Sequence, residues 1–229
     1  MVKSAIFYVA LTASLVLPVT AHSAIVHLGS GNTVDFYYDN ADPGTLAYGT
    51  LQISGDTVYA TPTTFETSAL NGEGTSLFTN TGSVIVIAKD GYSFAGVDIL
   101  EGGTYNTTVN GYVNVESSLQ VIDSDNFFTR ETNFLNISDL TASGLNTWEG
   151  YLSYDMTTAM WNNTNSIELT LTNWLYATSP DADSTAVINK TLAGSSIGMS
   201  ITTVVPVPAA IWLFGSGLIA LSGFARRRK

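Results

Sequence analysis

The sequence predicts an all-β fold: an antiparallel two-sheet sandwich, jelly-roll-like, with an N-terminal signal helix and a C-terminal transmembrane helix. Three observations carry that expectation. Apolar and polar residues alternate through the body of the chain, without helical periodicity. Turn signals separate the alternating runs at near-regular spacing. Both ends are apolar, while the middle is polar and acidic. The boundaries follow as 1–24 for the signal peptide, 25–203 for the sandwich and 204–229 for the tail.

The first element opens with Lys3, continues through the apolar stretch Ala5–Pro18 and ends in small residues around Ala21–Ala24. That is the layout of a secretory signal peptide, cleaved between Ala21 and Ala24. Its apolar core is short for a permanent span.

In the body, "TVDFYY" places Val34, Phe36 and Tyr38 on one face, and "EGYLSYDM" does the same for Leu152, Tyr154 and Met156. "SIELTLT" points Ile167, Leu169 and Leu171 one way and Glu168, Thr170 and Thr172 the other, and "SIGMSITTV" pairs Ile197, Met199 and Ile201. "SVIVIAK" is apolar throughout, as in a strand covered on both faces. "NADPG", "SG", "NGEG", "KDG", "EGG" at 101–103 and "SPDAD" read as turns. These runs make ten or more strands, the pattern of a sandwich.

Charge is divided unevenly. Only Lys89, Arg130 and Lys190 stand in the body, against all 19 carboxylates. Such a surface repels nucleic acid, whose binding rests on Lys and Arg neutralising phosphates. It attracts divalent cations and basic partners. The chain has no cysteine, which excludes thiol chemistry and disulfides, so its core must hold it together.

The tail is uncharged from Val204 to Ala225. Pro206 and Pro208 exclude a helix interior, so a helix should begin near Ala209. Running to Ala225 it would be about 25 Å long, short for a hydrocarbon core about 30 Å thick unless arginines snorkel. Ala210, Ile211, Trp212, Leu213, Phe214, Leu218, Ile219 and Leu221 supply the apolar surface, with Trp212 near the outer interface. Arg226, Arg227, Arg228 and Lys229 should remain cytoplasmic, leaving the body outside.

A proline motif (Val205, Pro206, Val207, Pro208, Ala209), an apolar helix containing "GSG" and a terminal arginine cluster, in that order, resemble the PEP-CTERM sorting tails of Gram-negative bacteria. The motif is similar to the V-P-x-P-A (VPLPA-CTERM-like) branch, with Val207 where the Pro-Glu-Pro form has its acid. The resemblance implies an inner-membrane intermediate with the body in the periplasm. It further implies handling by an exosortase-type enzyme, and a final place on the cell surface or in an exopolysaccharide or biofilm matrix. A plain stop-transfer anchor is the rival reading of the same residues.

Three chemistries are open to the body. Asp39 and Asp42, and Asp123 and Asp125, space carboxylates as calcium loops do, without a full EF-hand. Trp148, Trp161 and Trp174 could stack on sugars; Trp161 and Trp174 read as core, and Trp148 beside Glu149 as the exposed one. Catalysis finds no motif: His27 is the sole body histidine, without a G-x-S-x-G elbow. The expected function is therefore a structural or adhesive protein of the surface or matrix, not an enzyme and without a cofactor unless calcium binds. A glycan-binding module, helped by calcium or not, is the alternative, and a carboxylate-type hydrolase the third reading.

Overall fold

The computed structural model describes residues 24–190 and 197–205. The expected signal peptide, the proline motif beyond Val205, the expected transmembrane helix and the arginine cluster lie outside the described residues. No described helix is long and apolar enough to cross a membrane.

The described chain is built from β1 (Ile25–Ser30), β2 (Val34–Asp39), the short helix α1 (Pro43–Ala47), β3 (Thr50–Ser54), β4 (Thr57–Thr61) and β5 (Glu66–Leu70). The long strands β6 (Gly74–Ala88), β7 (Ser93–Thr107), β8 (Tyr112–Asp123), β9 (Arg130–Leu140) and β10 (Gly144–Asp155) follow. A single 3₁₀ turn (Ala159–Trp161) precedes β11 (Ser166–Ser179), β12 (Thr185–Asn189) and β13 (Ile197–Val204). Sheet A has the order β1-β2-β6-β11-β8-β9; sheet B runs β3-β4-β13-β7-β12-β5, with β10 also pairing β7. Every pairing between these strands is antiparallel. The molecule is thus the expected two-sheet sandwich.

Alternation explains the core. Val34 and Phe36 from β2, Leu152 and Tyr154 from β10, Ile167, Leu169 and Leu171 from β11, and Ile197, Met199 and Ile201 from β13 are all buried between the sheets. Burying one such side chain contributes roughly 1.5–3 kcal/mol, which is how a cysteine-free chain holds two sheets together. The expected turns form at Gly55, Gly72 and Gly91, each with positive φ. "NADPG" makes a helix start instead of a bare turn: the Asp42 carboxylate accepts from the N–H groups of Gly44 and Thr45.

Two sequence expectations are corrected. "EGG" at 101–103 is no turn but the middle of the fifteen-residue strand β7. "SVIVIAK" is not covered on both faces: Val84 and Val86 face the core, while Ile87 is exposed. Among the described residues no layer covers Ile87 on that side.

Sheet B forks at β7. Along one edge β10 pairs from Gly96 to Thr107. Along the other, β13 pairs with Ser93–Glu101 and β12 with Thr104–Thr107, end to end. Gly102 and Gly103 face the gap between them, and Lys190 follows β12 at this point. The eight-strand, two-Greek-key order of a jelly roll has no such branch.

Candidate functional site

The outer face of sheet A carries the candidate binding surface. Strand register sets its rows. Phe134 of β9 lies opposite Ser118 of β8, which lies opposite Thr172 of β11, then Thr81 of β6. In the next row stand Asn136, Glu116, Trp174 and Thr79, and beyond it Asn114, Tyr176 and Leu77. Four strands at about 4.8 Å spacing make a surface about 14 Å across. Phe134 is 74% exposed and Leu77 52%, while Trp174 and Tyr176 are half-buried.

Polar groups are interleaved with these rings. The Tyr176 hydroxyl donates to Glu116 Oε2 at 3.3 Å, and burial together with the Glu116 charge raises its pKa. The hydroxyls of Thr81 and Thr172 share a hydrogen bond of 2.9 Å, and Gln120 Nε2 donates to Thr132 at 3.2 Å. Aromatic faces, hydroxyls, amides and a carboxylate on one open surface can stack on apolar C–H faces and exchange hydrogen bonds together.

Trp148 does not belong to this surface. Expected to be exposed, it is 4% exposed and its Nε1–H donates to the Asn189 carbonyl at 3.2 Å. The physical reason is register: Trp148 sits opposite Gly103, whose missing side chain leaves room for the indole to lie inward. Trp161 is buried as expected, edge-on to Tyr154. Trp174, read as core, stands on the outer face instead. Continuing the alternation of Ile167, Leu169 and Leu171 by phase puts position 174 outward and 173 inward, a signal the sequence already held.

That same phase points to a second group of residues, missed by motif reading. Glu101 follows Val97 and Ile99 inward on β7, Ser117 follows Val113 and Val115 on β8, and Asn173 follows Leu169 and Leu171 on β11. Lys190 continues Ala186 and Ile188 beyond β12. All four are buried. Lys190 Nζ lies 2.8 Å from Glu101 Oε1, with both side chains wholly shielded from solvent. Asn173 Nδ2 donates to the same Oε1 at 2.8 Å and to Ser117 Oγ at 2.8 Å. Ser117 donates to Glu101 Oε2, and the Tyr48 hydroxyl donates to Asn173 Oδ1 at 3.1 Å. Trp148 covers the group, its ring centroid 5.5 Å from Lys190 Nζ. Burial pulls the Lys190 amine below the usual lysine range, against the opposing pull of Glu101.

Three of the four calcium candidates accept local hydrogen bonds. Asp42 caps α1, and Asp39 Oδ1 accepts from Ala41 N. Asp123 is buried and accepts from the N–H groups of Asp125 and Asn126 and from the Thr164 hydroxyl at 2.7 Å, while Asp125 is exposed at the hairpin tip. Among the described residues no three His, Asp or Glu side chains gather as metal ligands would. His27 is exposed on β1, its ring 5.0 Å from that of Tyr37.

No protein-family model matches the chain, and no curated protein matches it. Among solved structures it is similar to TmCBM61 in complex with β-1,4-galactotriose, at 12% identity over 78% of this chain and 88% of that one, TM-score 0.27. It is similar to a chain of infectious bursal disease virus, Gx strain, at 16% identity over 80% and 47%, TM-score 0.31. A third likeness is to a structure described for the promiscuous specificity of carbohydrate-binding modules from the β-sandwich superfamily, at 6% identity over 80% and 97%, TM-score 0.24. TM-scores this low carry no weight for strand order, ligand or activity; the fold stands on its own strand pairing.

Proposed function

We propose that the sandwich is a glycan-binding module of an exported surface or matrix protein, with the outer face of sheet A as the surface on which the polysaccharide lies. The observation supporting this is the pair Trp174 and Tyr176 along β11, with Phe134 two strands away and Asn114, Glu116, Ser118, Asn136 and Thr172 among them. A flat platform suits an extended polymer better than a small solute. The cavity between α1 and β13 is about 30 Å³, room for no more than a water molecule, and a second of about 220 Å³, lined by Leu28, Tyr38, Leu46 and Leu51, offers few polar groups to a sugar. The acidic surface selects for neutral polysaccharide, since like charges repel uronate polymers. Adhesion to a matrix is then the role such contacts serve. The leader, the sorting tail and exosortase handling remain part of this reading, carried by the sequence alone.

The test is binding of the purified domain to a panel of neutral and acidic polysaccharides by affinity electrophoresis. Retardation in a neutral polymer gel, abolished in Trp174→Ala and unchanged in a surface variant away from the platform such as Glu73→Gln, is the expected result. A domain that binds nothing in the panel would leave the structural role without a ligand. Intact mass of the protein from its native cells tests the tail: an end near Val205–Ala209 means removal of the helix, whereas retention of Arg226–Lys229 means a permanent anchor.

A further inference from the structure

We propose that Lys190 and Asn173 become joined by an amide bond between their side chains, with Glu101 as the catalytic residue that relays the proton. The bond would tie β11 of sheet A to the end of β12 of sheet B, in a chain that has no cysteine for the purpose. It is independent of the glycan reading.

The geometry supplies each part. Lys190 Nζ and Asn173 Nδ2 both contact Glu101 Oε1, so attacking and leaving nitrogens lie within two hydrogen-bond lengths of each other. The contact of Nζ with Glu101 is an ion pair without an aligned hydrogen bond. The Tyr48 hydroxyl, buried and held protonated by that burial, lies 2.9 Å from the Leu171 carbonyl and 3.1 Å from Oδ1, and turning its one proton to Oδ1 draws electrons from Cγ. Ser117 holds Glu101 by its other oxygen and so acts as a positioning residue.

The steps balance. The Lys190 ammonium passes one proton to the Glu101 carboxylate, leaving a neutral amine, which the lowered lysine pKa favours. The Nζ lone pair then forms a bond to Asn173 Cγ. Glu101 gives its proton to Nδ2 and takes one from Nζ; the Cγ–Nδ2 bond breaks and ammonia leaves. The products are a secondary amide, ammonia and a neutral glutamic acid. No oxidant, reductant or co-reactant is needed. Two desolvated charges are gone at the end, and that removes the penalty a buried ion pair carries.

The experiment is trypsin digestion and mass spectrometry of the full exported protein. Trypsin cuts after a free lysine only, so a linked chain should stay uncut at Lys190. Its fragment beginning at Glu131 should be about 17 Da lighter than encoded, the mass of one ammonia. Lys190→Arg and Glu101→Gln should each regain the missing mass. Recovery of the wild-type protein cut at Lys190 with its encoded mass overturns the proposal. So does the same loss in Lys190→Arg, since that variant keeps the charge, cannot form the bond, and would place the lost ammonia in a succinimide. Circular dichroism of both variants checks that the sandwich is intact.

Discussion

At the scale of single residues, the centre of the molecule depends on how one cation is buried. Lys190 sits against Glu101 with no solvent at either side chain. Removing one partner of such a pair strands the other, at a cost of about 3–5 kcal/mol. Lys190→Ala should therefore lower the melting temperature strongly, while Lys190→Met combined with Glu101→Leu should recover the part due to the stranded carboxylate and not the part due to the missing amide. A thermal melt of the three proteins reads both outcomes. At the surface the contrast is Trp148 against Trp174: Trp148→Ala empties a core site and should cost about 3–5 kcal/mol. Trp174→Ala should cost far less stability and remove the stacking surface. Binding and denaturant curves on the same two variants separate these effects.

At the scale of elements, β7 shows how a glycine pair directs its neighbours. A methyl group at Gly103 would overlap the Asn189 carbonyl and approach Trp148 Nε1 to 2.7 Å. Gly103→Ala should then push the indole or the end of β12 outward, costing about 1–3 kcal/mol, measured as a shift of the urea midpoint at unchanged slope. The β11–β12 turn offers a pH test. Asn110 Nδ2 donates to Asp181 Oδ2 at 2.8 Å, and this bond first of all holds the Asp181 carboxyl below its usual range. A carboxylate lowered in the folded state contributes stability above its unfolded pKa, and loses it as pH falls through the folded value. The turn should therefore loosen on acidification below about pH 4. Amide exchange at Asp183 and Ser184 should rise there, and Asn110→Ala should shift that rise to higher pH.

At the scale of the whole molecule, the two sheets are joined by packing, by the buried polar cluster around Glu101 and by further polar contacts such as Thr67 with Ser76 and Tyr154 with Glu131. Glu101 comes from sheet B and Asn173 and Ser117 from sheet A, so the cluster fixes the sheets' relative register as well as their distance. Of the body's three cations, Lys190 is buried against Glu101 and Lys89 lies 3.8 Å from Asp35; each is matched by a carboxylate, so the surface keeps the strong negative excess of the composition. Binding to a neutral polysaccharide should accordingly change little with added salt, whereas adventitious binding to basic partners should weaken as screening rises. Affinity electrophoresis at two ionic strengths distinguishes them.

Local pattern alone determined the strands, their inward faces and most of the turns, because each depends on neighbours in sequence. Even Trp174 outward and Asn173 inward follow from extending one alternation by a few positions. That Trp148 is buried, and that "EGG" is a strand rather than a turn, were decided by tertiary structure. Trp148 is buried because β10 happens to lie across Gly103, a fact about pairing between segments far apart in the chain. The convergence of Glu101, Ser117, Asn173 and Lys190 was decided the same way: each is an inward polar residue on its own strand, and only the closing of two sheets brings them within hydrogen-bond reach.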